Sequence, residues 1–452
     1  MSVGTTTPDA APPTAALYPQ SPWPLIPEQD PFYAPPPELG RHSPGAVLRT
    51  RRVELALFGL VPQRISAWQL LYRTCDLNGV PEVAVTTVLL PWGADPTVPR
   101  PLVSFQCAID GVSSRCFPSY ALRRGARALG AIPQLELPVI AAALARGWAV
   151  SVPDHEGMSG QFGVAREPGY RSLDGIRAAL NFTPLGLGAT TPVGLWGYSG
   201  GGLATAWAAE LAAEYAPELA IVGAVAGSPV GDPASAFTRL NGTFLSGFAT
   251  VCVAALRRAY PALDRLLLDE LHPDFLGLLA QAESRTTFEL IPRFAGKNID
   301  NYSRTTFAEL LDRPEMRDVL DDIRPGAQAP TMPMLVIQGV NDELIAVSDV
   351  DAHVARYLAA GAHIRYLRDR LSLHLPLLYI GTPFTMNWLA DRFDQGDSGP
   401  TGTDTVWSLG FGKREAVGHL SFARLFGRML AARPITAPGR PTASAAYRRS
   451  VA

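Results

Sequence analysis

Residues Thr191 to Ala213 read TPVGLWGYSGGGLATAWAAELAA, and the order of their parts decides the fold. A short apolar run, Pro192 to Trp196, ends in Gly197-Tyr198-Ser199-Gly200-Gly201, and an Ala-rich helical segment follows at once. That is a strand, a sharp turn and a helix. In a G-x-S-x-G elbow the serine sits at the tip of a strained turn, so the flanking positions must lack side chains where the backbone crowds its neighbours. Ser199 is then exposed with a helix N-terminus behind it, where the free N–H of Gly200 can stabilise a negative oxygen. The bare pattern arises by chance with odds of roughly one in five in a chain this rich in glycine. The strand and helix around it supply the specificity.

Working outward, Ala220 to Ala226 is a near-continuous apolar run, as expected for a parallel strand covered on both faces. Upstream, Val53 to Leu57, Gln69 to Asp76, Ala84 to Leu90, Leu102 to Ile109 and Trp148 to Val152 read as strands, with Asn78-Gly79 as a hairpin turn. Leu137 to Arg146 and Ser172 to Leu180 read as helices. Strands alternating with helices predict right-handed crossovers and a mostly parallel, doubly wound α/β sheet. From Asp232 to about Pro330 the pattern is helical throughout and predicts a cap over the strand ends. The sheet resumes at Met334 to Gln338, followed by a helix over Val350 to Ala360 and a strand over His363 to Leu367. Leu377 to Phe393 closes the core, Asp394 to Asp404 reads as a loop, and Leu420 to Ala431 as an amphipathic helix. The predicted units are a Pro-rich arm (1–44), a first core part (45–231), the cap (232–330), a second core part (331–393) and a C-terminal segment with a disordered tail beyond Pro434 (394–452). Twelve of the 41 prolines fall in the arm. Its first part is expected to be extended or disordered, with Trp23, Phe32 and Tyr33 pinning the rest.

Composition narrows the function. A net charge of -2 with acids and bases mixed along the chain leaves no electrostatic footprint for nucleic acid. No apolar run is long enough to cross a bilayer, and the N-terminus lacks the basic start and apolar core of a signal peptide. Cys75, Cys107, Cys116 and Cys252 are too widely spaced for a zinc site. Four cysteines permit three pairings or four free thiols.

A serine hydroxyl needs a base within hydrogen-bond reach, itself oriented by an acid. In the α/β-hydrolase arrangement both follow the serine in the chain, each after a late strand. Met334 to Gln338 leads to Gly339-Val340-Asn341-Asp342-Glu343, and one helix and one strand later stands Leu373-His374-Leu375. Ser199, Asp342 and His374 thus appear in the required order, with Glu343 as a rival carboxylate. The other histidines fail on position: His155 precedes the serine, His353 falls in a helix, His363 begins a strand, and His42, His272 and His419 lie in the arm, the cap and the C-terminal segment. Ser398, in Gly396-Asp397-Ser398-Gly399-Pro400, sits in a polar loop without the two β-barrels of chymotrypsin-like proteases. A second oxyanion donor should come from the loop after Leu102 to Ile109, from the backbone or side chain of Asp110 or a neighbour. An Asp side chain donates only when protonated, which requires a raised pKa.

Taken together, these segments resemble the secretory lipase family, the lipase A type. The resemblance spans roughly Asp30 to Phe393. It rests on Phe32-Tyr33, Ala84-Val85-Thr86-Thr87-Val88, Ser104-Phe105-Gln106 with Asp110, Cys116 and Pro118-Ser119-Tyr120. It continues through Val152-Pro153-Asp154 with Glu156-Gly157, Leu173-Asp174-Gly175-Ile176-Arg177, the elbow, Asp342-Glu343 and His374-Leu375. It implies an α/β-hydrolase with a helical cap that cleaves carboxylic esters of lipids without a cofactor, at a lipid–water interface or on a single lipid. It implies Ser199, Asp342 and His374 as catalytic triad, Asp110 and Gly200 as oxyanion site, a Cys116–Cys252 disulfide, and a flap over the pocket formed by Val406 to Arg433. It further implies a secreted or cell-envelope protein, while the missing signal-peptide pattern leaves the cytoplasm open. Acyl transfer to an alcohol and non-catalytic lipid binding are the competing expectations.

Overall fold

The computed structural model describes residues 23–396 and 398–438. Ten strands form one sheet: β1 (Val47–Arg52), β2 (Ser66–Cys75), β3 (Pro81–Leu90), β4 (Leu102–Gln106), β5 (Ala149–Pro153), β6 (Val193–Tyr198), β7 (Ile221–Gly227), β8 (Met334–Gly339), β9 (Ile364–Asp369) and β10 (Gly402–Val406). Their spatial order is β1-β2-β3-β5-β4-β6-β7-β8-β9-β10. The pairs from β1 to β5 are antiparallel, and all pairs from β5 onward are parallel.

The two-residue period of a strand sends neighbouring side chains to opposite faces, and both faces here are apolar. Val103, Phe105, Trp196, Leu335 and Ile337 enter one core with Leu137, Ile140 and Leu377. Leu102, Leu195, Ala224, Met334 and Val336 enter the other with Leu173, Ile176, Ala208 and Val350. The first face is covered by α1 (Pro133–Ala145) and the second by α2 (Glu167–Leu180) and α3 (Gly200–Tyr215). This is the doubly wound arrangement that the continuous apolar strands predict. Between β7 and β8 the chain is helical, from α4 (Pro233–Leu240), α5 (Ser246–Ala259), α6 (Pro261–Glu270) and α7 (Pro273–Ala280) to α8 (Thr287–Phe294), α9 (Phe307–Leu311) and α10 (Pro314–Asp322). These helices share an apolar cluster with Leu203 and Trp207 of α3, so the cap is seated directly on the helix that follows the elbow.

Several elements differ from expectation. Val53 to Leu57 is not a sheet strand. Only Ala56–Leu57 is extended, in a two-strand ladder with Val61–Pro62, while the sheet's edge is Val47–Arg52. The expected loop Asp394 to Asp404 ends in β10, an edge strand whose residues are mostly exposed. An edge strand is held by backbone pairing to one neighbour and needs no apolar alternation, so no hydrophobic pattern marked it. Trp23 is 60% exposed, whereas Phe32 and Tyr33 are buried. Ile435, in the tail expected to be disordered, is buried, and its carbonyl accepts from the Trp92 N–H; residues 1–22 and 439–452 lie outside the described residues. α11 (Val347–Ala359) lies between β8 and β9, α12 (His374–Phe393) follows β9, and α13 (Lys413–Leu430) follows β10 in the C-terminal segment.

The arm is tied down by specific chemistry. Asp30 accepts from the Phe32 N–H and pairs with Arg51 at 2.6 Å, and the Arg51 guanidinium lies 4.0 Å from the centre of the Phe32 ring. Tyr33 Oη meets Ser119 Oγ at 2.8 Å. Truncation of a fully buried Phe costs about 3–5 kcal/mol. Phe32→Ala is therefore expected to lower the free energy of unfolding by that amount, read from chemical denaturation curves.

Candidate active site

Ser199 stands between β6 and α3 with φ 56° and ψ -120°, a conformation that costs a non-glycine residue about 1–3 kcal/mol. The turn holds because its neighbours carry no side chains. A Cβ on Gly197 would collide with the carbonyl of Gly201, and one on Gly201 with the carbonyl of Gln106. None of these glycines has a positive φ, so space, not backbone freedom, dictates them. The Ser199 N–H donates to the Gly227 carbonyl at 2.8 Å and fixes the tip to the neighbouring strand.

The structure brings the three predicted residues into one line. His374 Nε2 lies 2.9 Å from Ser199 Oγ, and His374 Nδ1 lies 2.7 Å from Asp342 Oδ2. Asp342 follows β8, and its Oδ1 accepts the N–H groups of Leu344 and Ile345 at 2.9 and 2.8 Å. Burial works against ionising this carboxyl, yet attraction to His374 and these hydrogen bonds outweigh it and hold Asp342 below the ordinary carboxylate range. Asp342 is thus an anion poised to orient an imidazole and to stabilise its charged form. Glu343, the rival, instead accepts the His374 backbone N–H at 2.9 Å. It positions the first residue of α12. Tyr198, the variable residue before the serine, donates its hydroxyl to the His374 carbonyl at 2.6 Å, a role that no sequence spacing signalled.

Asp110 also has a positive φ, 45°. Its carboxyl packs directly over Gly200: a Cβ there would strike Asp110 Oδ1. That oxygen has no hydrogen-bond partner among the described residues, and the carboxyl is pushed up to about 7 by burial, against the pull of His374. The protonated state required of a donor is therefore accessible near neutral pH. The loop is set by Glu156, whose Oε1 accepts the Asp110 N–H at 3.0 Å, and burial raises Glu156 well above its usual range. Gly200 opens α3, where the first N–H groups have no intrahelical acceptor.

The other candidates separate cleanly. His155 is buried and bonded to the Cys107 carbonyl, and burial lowers it to about 4, so it is a neutral core residue. His353 is buried in α11. Ser398 does meet a histidine, with Oγ 2.8 Å from His363 Nε2, but the opposite nitrogen faces the Thr401 hydroxyl and not a carboxylate. The implied disulfide is absent: all four cysteines are free. The Cys116 sulfur packs against Thr287 Oγ1, and that of Cys252 against the Phe162 carbonyl, so the two thiols are engaged with different partners. Nor does Val406 to Arg433 cover the site. Its helix α13 packs on α1 and α12, and none of its residues lines either cavity at Ser199.

Two cavities meet at the serine. One runs beneath the cap past Leu203, Phe237, Leu240, Ala249 and Cys252, with no charged side chain but Asp110. The other lies on the His374 side and is bounded by Ile132, Phe244, Phe288, Leu375 and Leu378, with Glu136 and Glu343 in its wall.

A serine on a strand–helix elbow, with a carboxylate and a histidine from later strand ends, defines an α/β-hydrolase. The secretory lipase family model matches residues 122–400, and the chain belongs to that family. Its fold matches the crystal structure of Candida antarctica lipase A in its closed state, with TM-score 0.81 at 27% identity over 93% of this chain and 100% of the other. Lipase A of Arthroderma benhamiae is 37% identical over 82% of this chain and 80% of its own length. A Mycobacterium tuberculosis protein named a probable inactive lipase is 49% identical over 91% of this chain and 93% of its own. Among the described residues no helix is long and apolar enough to cross a membrane.

The Asp110 environment predicts a stability signature. Unfolding releases the carboxyl to its ordinary pKa near 3.8, so the folded form holds its proton longer, and stability falls as pH rises from about 4 to about 7. An amide at this position has no such proton to lose. Asp110→Asn is expected to gain up to about 4 kcal/mol over the parent between pH 4 and pH 8, read from denaturation curves at the two pH values.

Proposed function

We propose that this protein is a serine hydrolase that cleaves carboxylic esters of lipids through an acyl-enzyme. The observation that carries the reading is the unbroken hydrogen-bonded line from Asp342 through His374 to Ser199. In this reading His374 takes the Ser199 proton as Oγ attacks the ester carbonyl. The carbonyl oxygen, now negative, is met by the Gly200 N–H and by the protonated Asp110 carboxyl. Collapse of the tetrahedral species expels the alcohol, which receives its proton from His374. Water, deprotonated by the same imidazole, then releases the fatty acid. The cavity without His374 suits the acyl chain, since its walls bury hydrocarbon and would penalise an unpaired charge.

A second reading, a lipid-binding protein without catalysis, is favoured by the name of the Mycobacterium tuberculosis relative. The two separate experimentally. A fluorophosphonate probe is expected to label the parent protein and not Ser199→Ala. On p-nitrophenyl esters from acetyl to palmitoyl, turnover of medium or long chains should fall at least ~10³-fold in that variant, leaving only binding and oxyanion donors to act. No labelling and no turnover by the parent would leave the binding reading.

The role given to Asp110 adds a pH dependence. Because the carboxyl donates only while protonated, kcat/KM of the parent should decline as pH rises through about 7. Asp110→Asn, which keeps an N–H donor at every pH, is expected to lose that decline; an identical alkaline limb in both proteins would remove Asp110 from the oxyanion site.

A further inference from the structure

The cavity on the His374 side contains one polar group that the reaction does not use. His374 must deliver a proton to the departing oxygen, so the alcohol half of an ester has to lie on this side of Ser199. Ser199 and His374 bond each other, the Tyr198 hydroxyl is committed to the His374 carbonyl, and Asp110 faces Gly200. Glu343, at the exposed rim, accepts the His374 N–H. Glu136 is different. It projects from α1, is 1% exposed, and lines the cavity. Its Oε2 accepts the Ala108 N–H at 2.9 Å, while Oε1 has no hydrogen-bond partner among the described residues.

A buried carboxyl oxygen left without a partner is costly, and such groups persist where a ligand or water completes them. The cavity walls near Glu136, including Ile132, Phe288 and Leu378, are apolar, and a further polar group beside the carboxyl, the buried Cys107 thiol, is a weak donor that lies outside the cavity lining. We infer that Glu136 is a specificity-determining residue that hydrogen-bonds a free hydroxyl on the alcohol half of the ester, so that partial esters of a polyol such as glycerol are preferred over esters of simple alkanols. Burial and the nearby Asp110 push Glu136 well above the usual carboxylate range. A neutral carboxylic acid both donates and accepts, which matches a hydroxyl and does not require a charged substrate.

This assignment rests on the hydrolase reading for its use, and the test keeps the two apart. With purified full-length protein, kcat/KM is measured for 1-decanoylglycerol and for ethyl decanoate, which share an acyl chain and differ in the alcohol. Glu136→Leu is expected to lower the glycerol-to-ethyl ratio about fivefold or more, on the scale of one neutral hydrogen bond, and Glu136→Gln, whose amide keeps a donor and an acceptor, to retain it. An equal loss on both esters in Glu136→Leu would make Glu136 only a support for the Ala108 loop and would overturn the proposal. Binding supplies a readout that needs neither turnover nor a folded Leu variant. In Ser199→Ala, calorimetry is expected to show 1-O-decylglycerol binding about fivefold more tightly than decyl ethyl ether, with the difference kept in the double variant with Glu136→Gln. Equal or weaker binding of the glycerol ether would overturn the proposal. The preference in binding without turnover of either ester by the parent would overturn the hydrolase reading alone.

Discussion

The close approach of backbone to backbone around Ser199 is the constraint on which the rest depends. A hydroxyl can be presented above the sheet only if the chain reverses within one residue. That reversal brings Gly197 against Gly201 and Gly201 against the strand ending at Gln106, at separations that leave no room for a Cβ. The strain at Ser199 is local, but what resists its relaxation is distributed: the hydrogen bond to Gly227, the all-buried strand β6 and the Phe105–Trp196 stack at 4.8 Å on one face of the sheet. A flexible turn in the same place would lose the 2.9 Å register between Ser199 Oγ and His374 Nε2.

A second layer of constraint is electrostatic. In and around the loop that follows β4 lie several buried carboxyl groups, Asp110, Glu136, Asp154 and Glu156, each raised by loss of hydration. Three of them hold backbone: Glu136 takes the Ala108 N–H, Asp154 the Ser119 N–H, and Glu156 the Asp110 N–H. Carboxyls serve here as fixed acceptors that shape loops, and a neutral acid avoids the cost of a buried charge. The same chemistry links the N-terminal arm to the site, because Tyr33 meets Ser119 Oγ and that hydroxyl donates to Asp154 at the end of β5. The Phe32–Tyr33 part of the arm is therefore joined to the wall that carries Asp154 and Ser119.

The sheet and the three aligned residues were legible in the sequence for one reason. Ser199, Asp342 and His374 each follow an apolar run that ends abruptly, and chain order alone then specifies which histidine can reach the serine. Where function resides in contacts between segments distant in the chain, no such signal exists. Tyr198 looks like any residue before a serine, and Glu136 like a helix carboxylate until α1 is laid beside the Ala108 loop. The edge strand Gly402–Val406 escaped because its partner is supplied by β9 through the backbone. The implied disulfide failed for a related reason: a cysteine's place in the chain does not fix the direction of its sulfur, and here Thr287 and Phe162 engage the two thiols.

The interior at Ser199 is divided between two cavities of different construction. The cavity that lacks His374 is built from α3 and the cap, whose apolar cluster adds to stability whether or not chemistry occurs. The cavity on the His374 side is built from α1, α8 and the start of α12, and Asp110, which borders both cavities, combines a positive φ with a buried carboxyl oxygen that has no hydrogen-bond partner among the described residues. What distinguishes this site physically from an apolar cavity alone is the hydrogen-bonded line from Asp342 through His374 to Ser199 at the junction of the two cavities.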